Sequence, residues 1–344
     1  SRLIPRSYSV ILKQDNFYDF TYNRTIARAR NPIVAEAVFA LLGPIILGRL
    51  INRAQGFIFL GELGFLSVNE HNFREFEFKF IKSHGCKLVC YFVGSDIRSP
   101  RLLRDFEQKT GLTSLGTQLA LWNPVFGTEE HEESKRRIAA VAEEYADAIF
   151  SASVDQLSYL KHPTHPITYF YPDEDFRRDD SKFNNLDKIV VVHAPSNSII
   201  KGTGLVREAV ERLHSEGYEF EYVELTNTPN EIVRMELART HIVLNQFYAY
   251  IPGVFGIEGL ASNCAVLMSA DETIEPDLPA GSNGAWVVTR YFEVYEKLKY
   301  LLDHPEVIPT QAARGQAWAT EHVSFSHAGP RLLAILDQIL ASAK

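Results

Sequence analysis

Val190–Leu205 reads VVVHAPSNSIIKGTGL, and its order decides the fold: an apolar strand, a turn of small polar residues, then Lys201-Gly202 leading into a helix. The helix is expected from Thr203 to Glu216, because Leu205, Ala209, Val210 and Leu213 fall on one stripe and Gly217 sits just past its end. Outward from there the pattern repeats. Strands are expected at Ile189–His193, Glu219–Leu225, His241–Asn245 and Ala265–Met268, with a helix from Asn230 and a short one opened by Glu258. Strands separated by helices within one unit predict a parallel sheet with helices on both faces. In such sheets ligands sit beyond the carboxyl ends of the strands.

The first half alternates in the same way. Lys87–Val93 is an apolar strand opening into Gly94-Ser95-Asp96-Ile97-Arg98, and a polar stretch from Asn123 to Ser134 precedes a helix carrying Ile138, Val141, Ala142 and Tyr145, which runs into strand Ala148–Ala152. Phe170–Lys188 is charged, Asn-rich and almost free of aliphatic residues, which marks an exposed connection. The expected division is an N-terminal unit over 1–184, a C-terminal unit over 185–325, and a final helix over 326–344 that packs back on the first unit. A length of 344 residues agrees with two domains, at roughly 150 residues per domain.

Composition narrows the function classes. Hydrophobic residues at 46% and charged residues at 23% exclude disorder, collagen and coiled coil. A net charge of −8 removes any global basic field that would draw the chain to nucleic acid. Cys86, Cys90 and Cys264 are an odd, sparse set expected to be buried thiols in a reducing, cytoplasmic setting. The chain opens at Ser1 with neither an initiator methionine nor a basic-then-apolar signal, which leaves room for an element ahead of it. The longest apolar run, Ile33–Gly48, carries Glu36 and Pro44 and falls short of the roughly 20 residues that cross a bilayer. It reads as a buried helix; the alternative of a helix lying in a membrane interface wants a charged opposite face, so at most a peripheral membrane contact is expected.

Four positions could carry chemistry, each with a plain alternative. Lys201 and the helix end behind it suit a phosphate, or are a surface charge beside a turn. Glu258 suits a ribose diol, or caps its helix. Asp96 could orient a hydroxyl, or cap its turn. His193 could touch a ligand, or bond to the adjacent loop. Asp173-Glu174-Asp175 has a metal-binding form but falls in the exposed connection, and the histidines offer no ligand spacing, so no metal is expected.

Taken together, His193-Ala194-Pro195-Ser196, Lys201-Gly202-Thr203, the Gly-rich loop ending in Glu258-Gly259-Leu260-Ala261-Ser262-Asn263-Cys264-Ala265-Val266-Leu267, Gly281-Ser282-Asn283-Gly284, Trp318 and Phe325-Ser326 resemble the C-terminal domain of retaining nucleotide-sugar glycosyltransferases of the GT-B type. The resemblance covers roughly 185 to 335, and Gly94–Arg98 resembles the same group. It implies an α/β fold of two Rossmann-like domains whose parallel sheets face an interdomain cleft. It implies Lys201 at the donor diphosphate, Glu258 on the nucleotide ribose, and the backbone of Gly253, Val254 and Phe255 at the diphosphate and sugar. The donor set so implied is Ser196, Asn197, Lys201, Gly202, Tyr250, Gly253, Val254, Phe255 and Glu258; Asp96, Lys201 and His193 are the candidates for chemistry, and Arg98 for an anionic acceptor group. The sequence departs from the pattern in two ways. Pro195 and Ser196 stand where an arginine is common, and Tyr250 stands where the pattern has a glutamate facing the sugar.

The implied function is a retaining transfer of a hexose-type sugar from a nucleotide-sugar donor to a hydroxyl acceptor (glycan, lipid or small molecule), with no metal and no nucleic-acid partner. The two departures motivate the alternative of a non-catalytic, glycosyltransferase-like nucleotide-sugar-binding subunit. A nucleotide-sugar epimerase is disfavoured, since no Gly-rich dinucleotide turn is present.

Overall fold

The computed structural model describes residues 4, 7, 9–13, 24–27, 32–62, 64–68, 71, 72 and 74–342. Asn16–Tyr22, an aromatic-rich stretch suited to stacking on sugar rings or to filling core space, lies outside them.

The C-terminal half is a five-stranded, wholly parallel sheet in the order Val287–Val288, Ala265–Met268, Ile242–Leu244, Val190–His193, Glu221–Glu224. The three central strands are buried on both faces, which is why they read as unbroken apolar runs. Helices Thr203–Ser215 and Val294–Asp303 cover one face through Val206, Val210, Leu213 and Leu298. Helices Gly253–Ala261 and Val307–Val323 cover the other through Ile257, Leu260, Trp318 and Ala319. Val190–His193, the first strand of this sheet in chain order, lies between the second and the third, so the winding direction reverses at the Val190–His193/Ile242–Leu244 pair. A crevice opens at such a reversal, at the carboxyl ends of the two strands.

The N-terminal half holds a parallel sheet in the order Gly56–Leu60, Lys87–Tyr91, Ala148–Phe150. Helices Arg74–Ser83 and Glu129–Tyr145 bury Phe78, Ile81, Ile138 and Val141 on one face. On the other face Leu332, Ile335, Leu336 and Ile339 of the last helix, Phe325–Ala341, pack on Val89, Tyr91, Ala148 and Phe150.

Two expectations need correction. The polar stretch before the Ile138 helix is itself helical from Glu129, because Thr128 caps that end by accepting the His131 N–H at 3.2 Å and the acidic first turn suits the helix dipole. The apolar run spans Pro32–Leu50 and is not buried all round: Ile46 and Leu47 face the core, whereas Leu41 is 70% exposed and Ile45 49%. Among the described residues no helix is long and apolar enough to cross a membrane. All three cysteines are buried and free.

Candidate functional site

The crevice at the strand reversal is built first by His193. Its Nδ1 lies 2.7 Å from the Leu244 carbonyl and its Nε2 2.9 Å from the Thr203 hydroxyl. A carbonyl only accepts, so Nδ1 carries the proton and Nε2 accepts from Thr203. The ring is fully buried, and burial pushes its pKa down to about 4. His193 is therefore a neutral bridge between the two strands and the following helix, and both of its nitrogens are occupied.

Beyond it, Asn197 Oδ1 accepts the N–H groups of Ile199 and Ile200, each at 3.0 Å, and so starts the single turn Ser198–Lys201. Gly202 ends that turn at φ +75°, where a Cβ would meet Leu205 and Tyr248 at 3.3 Å. The turn aims Lys201 back across the strand ends, where its ammonium donates to Gln246 Oε1. Gln246 in turn donates through Nε2 to the Ile251 carbonyl at 2.6 Å. Burial lowers the Lys201 pKa to about 8, the Asp155 carboxylate acting against it and Arg98 with it. Ser196 is exposed at the lip of the turn.

Helix Gly253–Ala261 starts in the same crevice. Gly253 has φ +70° and donates its N–H to the Tyr169 hydroxyl at 3.1 Å. Val254 and Phe255 follow in the first turn, where N–H groups have no helical acceptor, and Val254 is exposed. Glu258 does not open this helix as expected. It lies in the interior, because the helix already begins at Gly253, so it cannot serve as the N-terminal cap. Its Oε1 accepts from the Asn230 side chain at 2.7 Å, and burial raises its pKa to about 7. The two aspartates of Asp173-Glu174-Asp175 are engaged separately: Asp173 accepts from Ser326 Oγ at 2.7 Å, and Asp175 pairs with Arg234 at 3.0 Å.

From the N-terminal half, Asp96 turns one carboxylate oxygen to the Val93 N–H at 2.9 Å, the turn-capping geometry. Its carboxyl, pushed up to about 6 by burial, sits in the field of Glu62, Lys135 and Arg74. The groups of that half that act on Lys201 are Asp155 and Arg98 instead. Arg98 is buried, pairs with the Asp155 carboxylate and donates from Nε to the Asp155 carbonyl at 2.7 Å. Tyr250 is 2% exposed; its hydroxyl donates to the Thr113 carbonyl at 2.8 Å. The structure thus gathers Asn197, Lys201, Gly202, Gly253 and the start of the Gly253–Ala261 helix at one crevice, and holds Tyr250 by a contact to the opposite half. Gln246, Asp155 and Asn230 were missed. The signal for Gln246 was a polar Asn245-Gln246 pair directly after a buried strand.

No protein-family profile matches the sequence, and no curated protein matches it. Solved structures do match by shape. Sucrose-phosphate synthase from Thermosynechococcus elongatus superposes with a TM-score of 0.57 at 12% identity, covering 96% of this chain and 87% of that one. Anabaena HepE, solved in complex with UDP-glucose, gives 0.52 at 12% identity over 91% of this chain and 85% of that one. An alpha-glucosyltransferase solved with UDP-glucose and abasic-site DNA gives 0.54 at 13% identity over 87% of this chain and 84% of that one. The fold is GT-B. In GT-B terms the crevice beyond Val190–His193 and Ile242–Leu244 belongs to the C-terminal Rossmann-like domain, and the loops after Lys87–Tyr91 and Ala148–Phe150 are the N-terminal wall of the cleft.

Proposed function

We propose that this chain is a retaining glycosyltransferase that moves a hexose from a nucleotide-diphosphate sugar to a hydroxyl acceptor, with no metal taking part. The observation that carries this reading is that Lys201 donates to Gln246, whose side chain packs against Gly253 at the start of the Gly253–Ala261 helix, beyond the strand reversal. A leaving diphosphate there meets a half-buried ammonium and first-turn N–H groups, positive partners aimed at the charge that develops as the bond breaks. Glu258, one and a half turns further on and accepting from the Asn230 side chain, takes the ribose hydroxyls. The sugar C1–O bond breaks, the diphosphate oxygen accepts the proton of the acceptor hydroxyl on the same face, and the new bond forms with configuration kept. HepE and the alpha-glucosyltransferase are each solved with UDP-glucose, which makes it the first donor to try.

A second reading, a binding subunit without activity, draws on Tyr250. The side chain at the position where a sugar-facing carboxylate is expected is buried against Thr113 instead. Incubation with UDP-glucose, GDP-mannose and ADP-glucose, followed by proton NMR of the anomeric region, separates the two. Slow release of an α-sugar, abolished in Lys201→Ala, supports transfer with retention. Tight nucleotide binding with no sugar released from any donor supports the binding subunit.

A further inference from the structure

The loop after strand Ala148–Phe150 meets the C-terminal half through an unusual set of contacts. The Val154 and Asp155 N–H groups donate to Glu275 Oε2 at 2.9 and 2.7 Å, so a buried carboxylate of one half grips the backbone of the other. Held there, Asp155 is 2% exposed and reaches in two directions. One oxygen pairs with Arg98, and the other accepts the backbone N–H of Tyr250 at 2.7 Å. Tyr250 is three residues before Gly253, where the helix that faces Lys201 begins. A charged acceptor on a buried N–H is a strong restraint, about twice that of a neutral pair, and Arg98 fixes the acceptor in turn.

We propose that Asp155 is a positioning residue of the donor site: from the opposite half it sets the 250–253 segment, and with it the N–H groups at the start of the Gly253–Ala261 helix, against the diphosphate. The proposal rests on the donor-site reading above. It predicts a split that a purely structural role does not, because the segment Asp155 sets meets the distal phosphate, whereas Glu258 and Asn230 hold the nucleoside.

The test is calorimetric titration of wild type, Asp155→Ala and Asp155→Asn with UDP and with UMP, and with the GDP/GMP and ADP/AMP pairs beside them so that the base does not decide the result. Thermal melts accompany each variant. Asp155→Ala is expected to weaken the diphosphate on the order of tenfold, the value of one hydrogen bond to a charged group, with the monophosphate unchanged. Asp155→Asn, which keeps an oxygen for the Tyr250 N–H, is expected to recover most of that loss; it also serves should the alanine variant fail to fold. Equal weakening of diphosphate and monophosphate, or wild-type diphosphate affinity in both variants, overturns the proposal while the donor-site reading stands. A wild type that binds no nucleotide at all overturns both.

Discussion

Lys201 rests on Gln246: its ammonium donates to the amide oxygen, and the same amide donates to the Ile251 carbonyl at 2.6 Å. A neutral amide orients the cation without cancelling it, so the full charge stays available to an anion. Gln246→Glu keeps the shape and supplies a counter-charge. It should weaken diphosphate binding by about 1.5–3 kcal/mol, the range for a hydrogen bond to a charged group. Titration with UDP checks this, and an affinity equal to wild type would show that Lys201 does not face the diphosphate.

The same lysine sets a pH dependence. Burial holds its pKa at about 8, below the ordinary lysine value, so the ammonium is lost as pH rises through that region. A bound diphosphate favours the charged form and pulls the pKa back up. Nucleotide affinity should therefore be flat below pH 7 on account of Lys201 and fall above pH 8, with a proton taken up on binding between about pH 8 and 9. Titrations in buffers of different ionisation enthalpy read that uptake directly, and Lys201→Arg should remove it.

Glu258 works in the opposite sense. Its folded pKa of about 7 lies above the ordinary carboxyl value because of burial, so the folded chain holds a proton that the unfolded chain has lost. Stability then falls as pH rises from about 4.5 to 7 and stays lowered above that. Glu258→Gln should raise the melting temperature at pH 8, by on the order of 1–3 kcal/mol of stability, and should have no such effect near pH 4. A variant equally stabilised at both values would contradict the assignment.

Gly315 offers a test of the fold behind the site. A Cβ there would lie 2.6 Å from Leu260 Cδ2 and 2.7 Å from the Ala285 carbonyl oxygen. Leu260 belongs to the helix that carries Glu258, so the clash pushes on that helix. Gly315→Ala should destabilise by about 1–3 kcal/mol despite alanine's better helix propensity, measured by urea unfolding.

What could be read from the sequence follows physical lines. Ala265–Met268 was expected over the residues that form it, and Val190–His193 to within one, because strands buried on both faces leave unbroken apolar runs. Pro32–Leu50 misled because its exposed side is also apolar, as Leu41 and Ile45 show, so composition could not tell a covered face from a bare one. Glu129–Ser134 reads as a polar stretch ahead of the helix because the first turns of a surface helix can be almost wholly charged. Lys201 and Glu258 were visible through their motifs. Asp155 was not: its contact to Tyr250 spans 95 residues, and no local pattern announces a hydrogen bond made across two halves of a fold.

Isothermal titration of wild type and Glu258→Ala with UDP, GDP, ADP and CMP asks whether Lys201, the Gly253–Ala261 helix and Glu258 together form a nucleotide-sugar pocket. One nucleotide should bind wild type at micromolar strength, and Glu258→Ala should lose about 1–3 kcal/mol of that through the missing ribose contacts. Equal binding to both proteins, or binding to neither, would contradict the pocket.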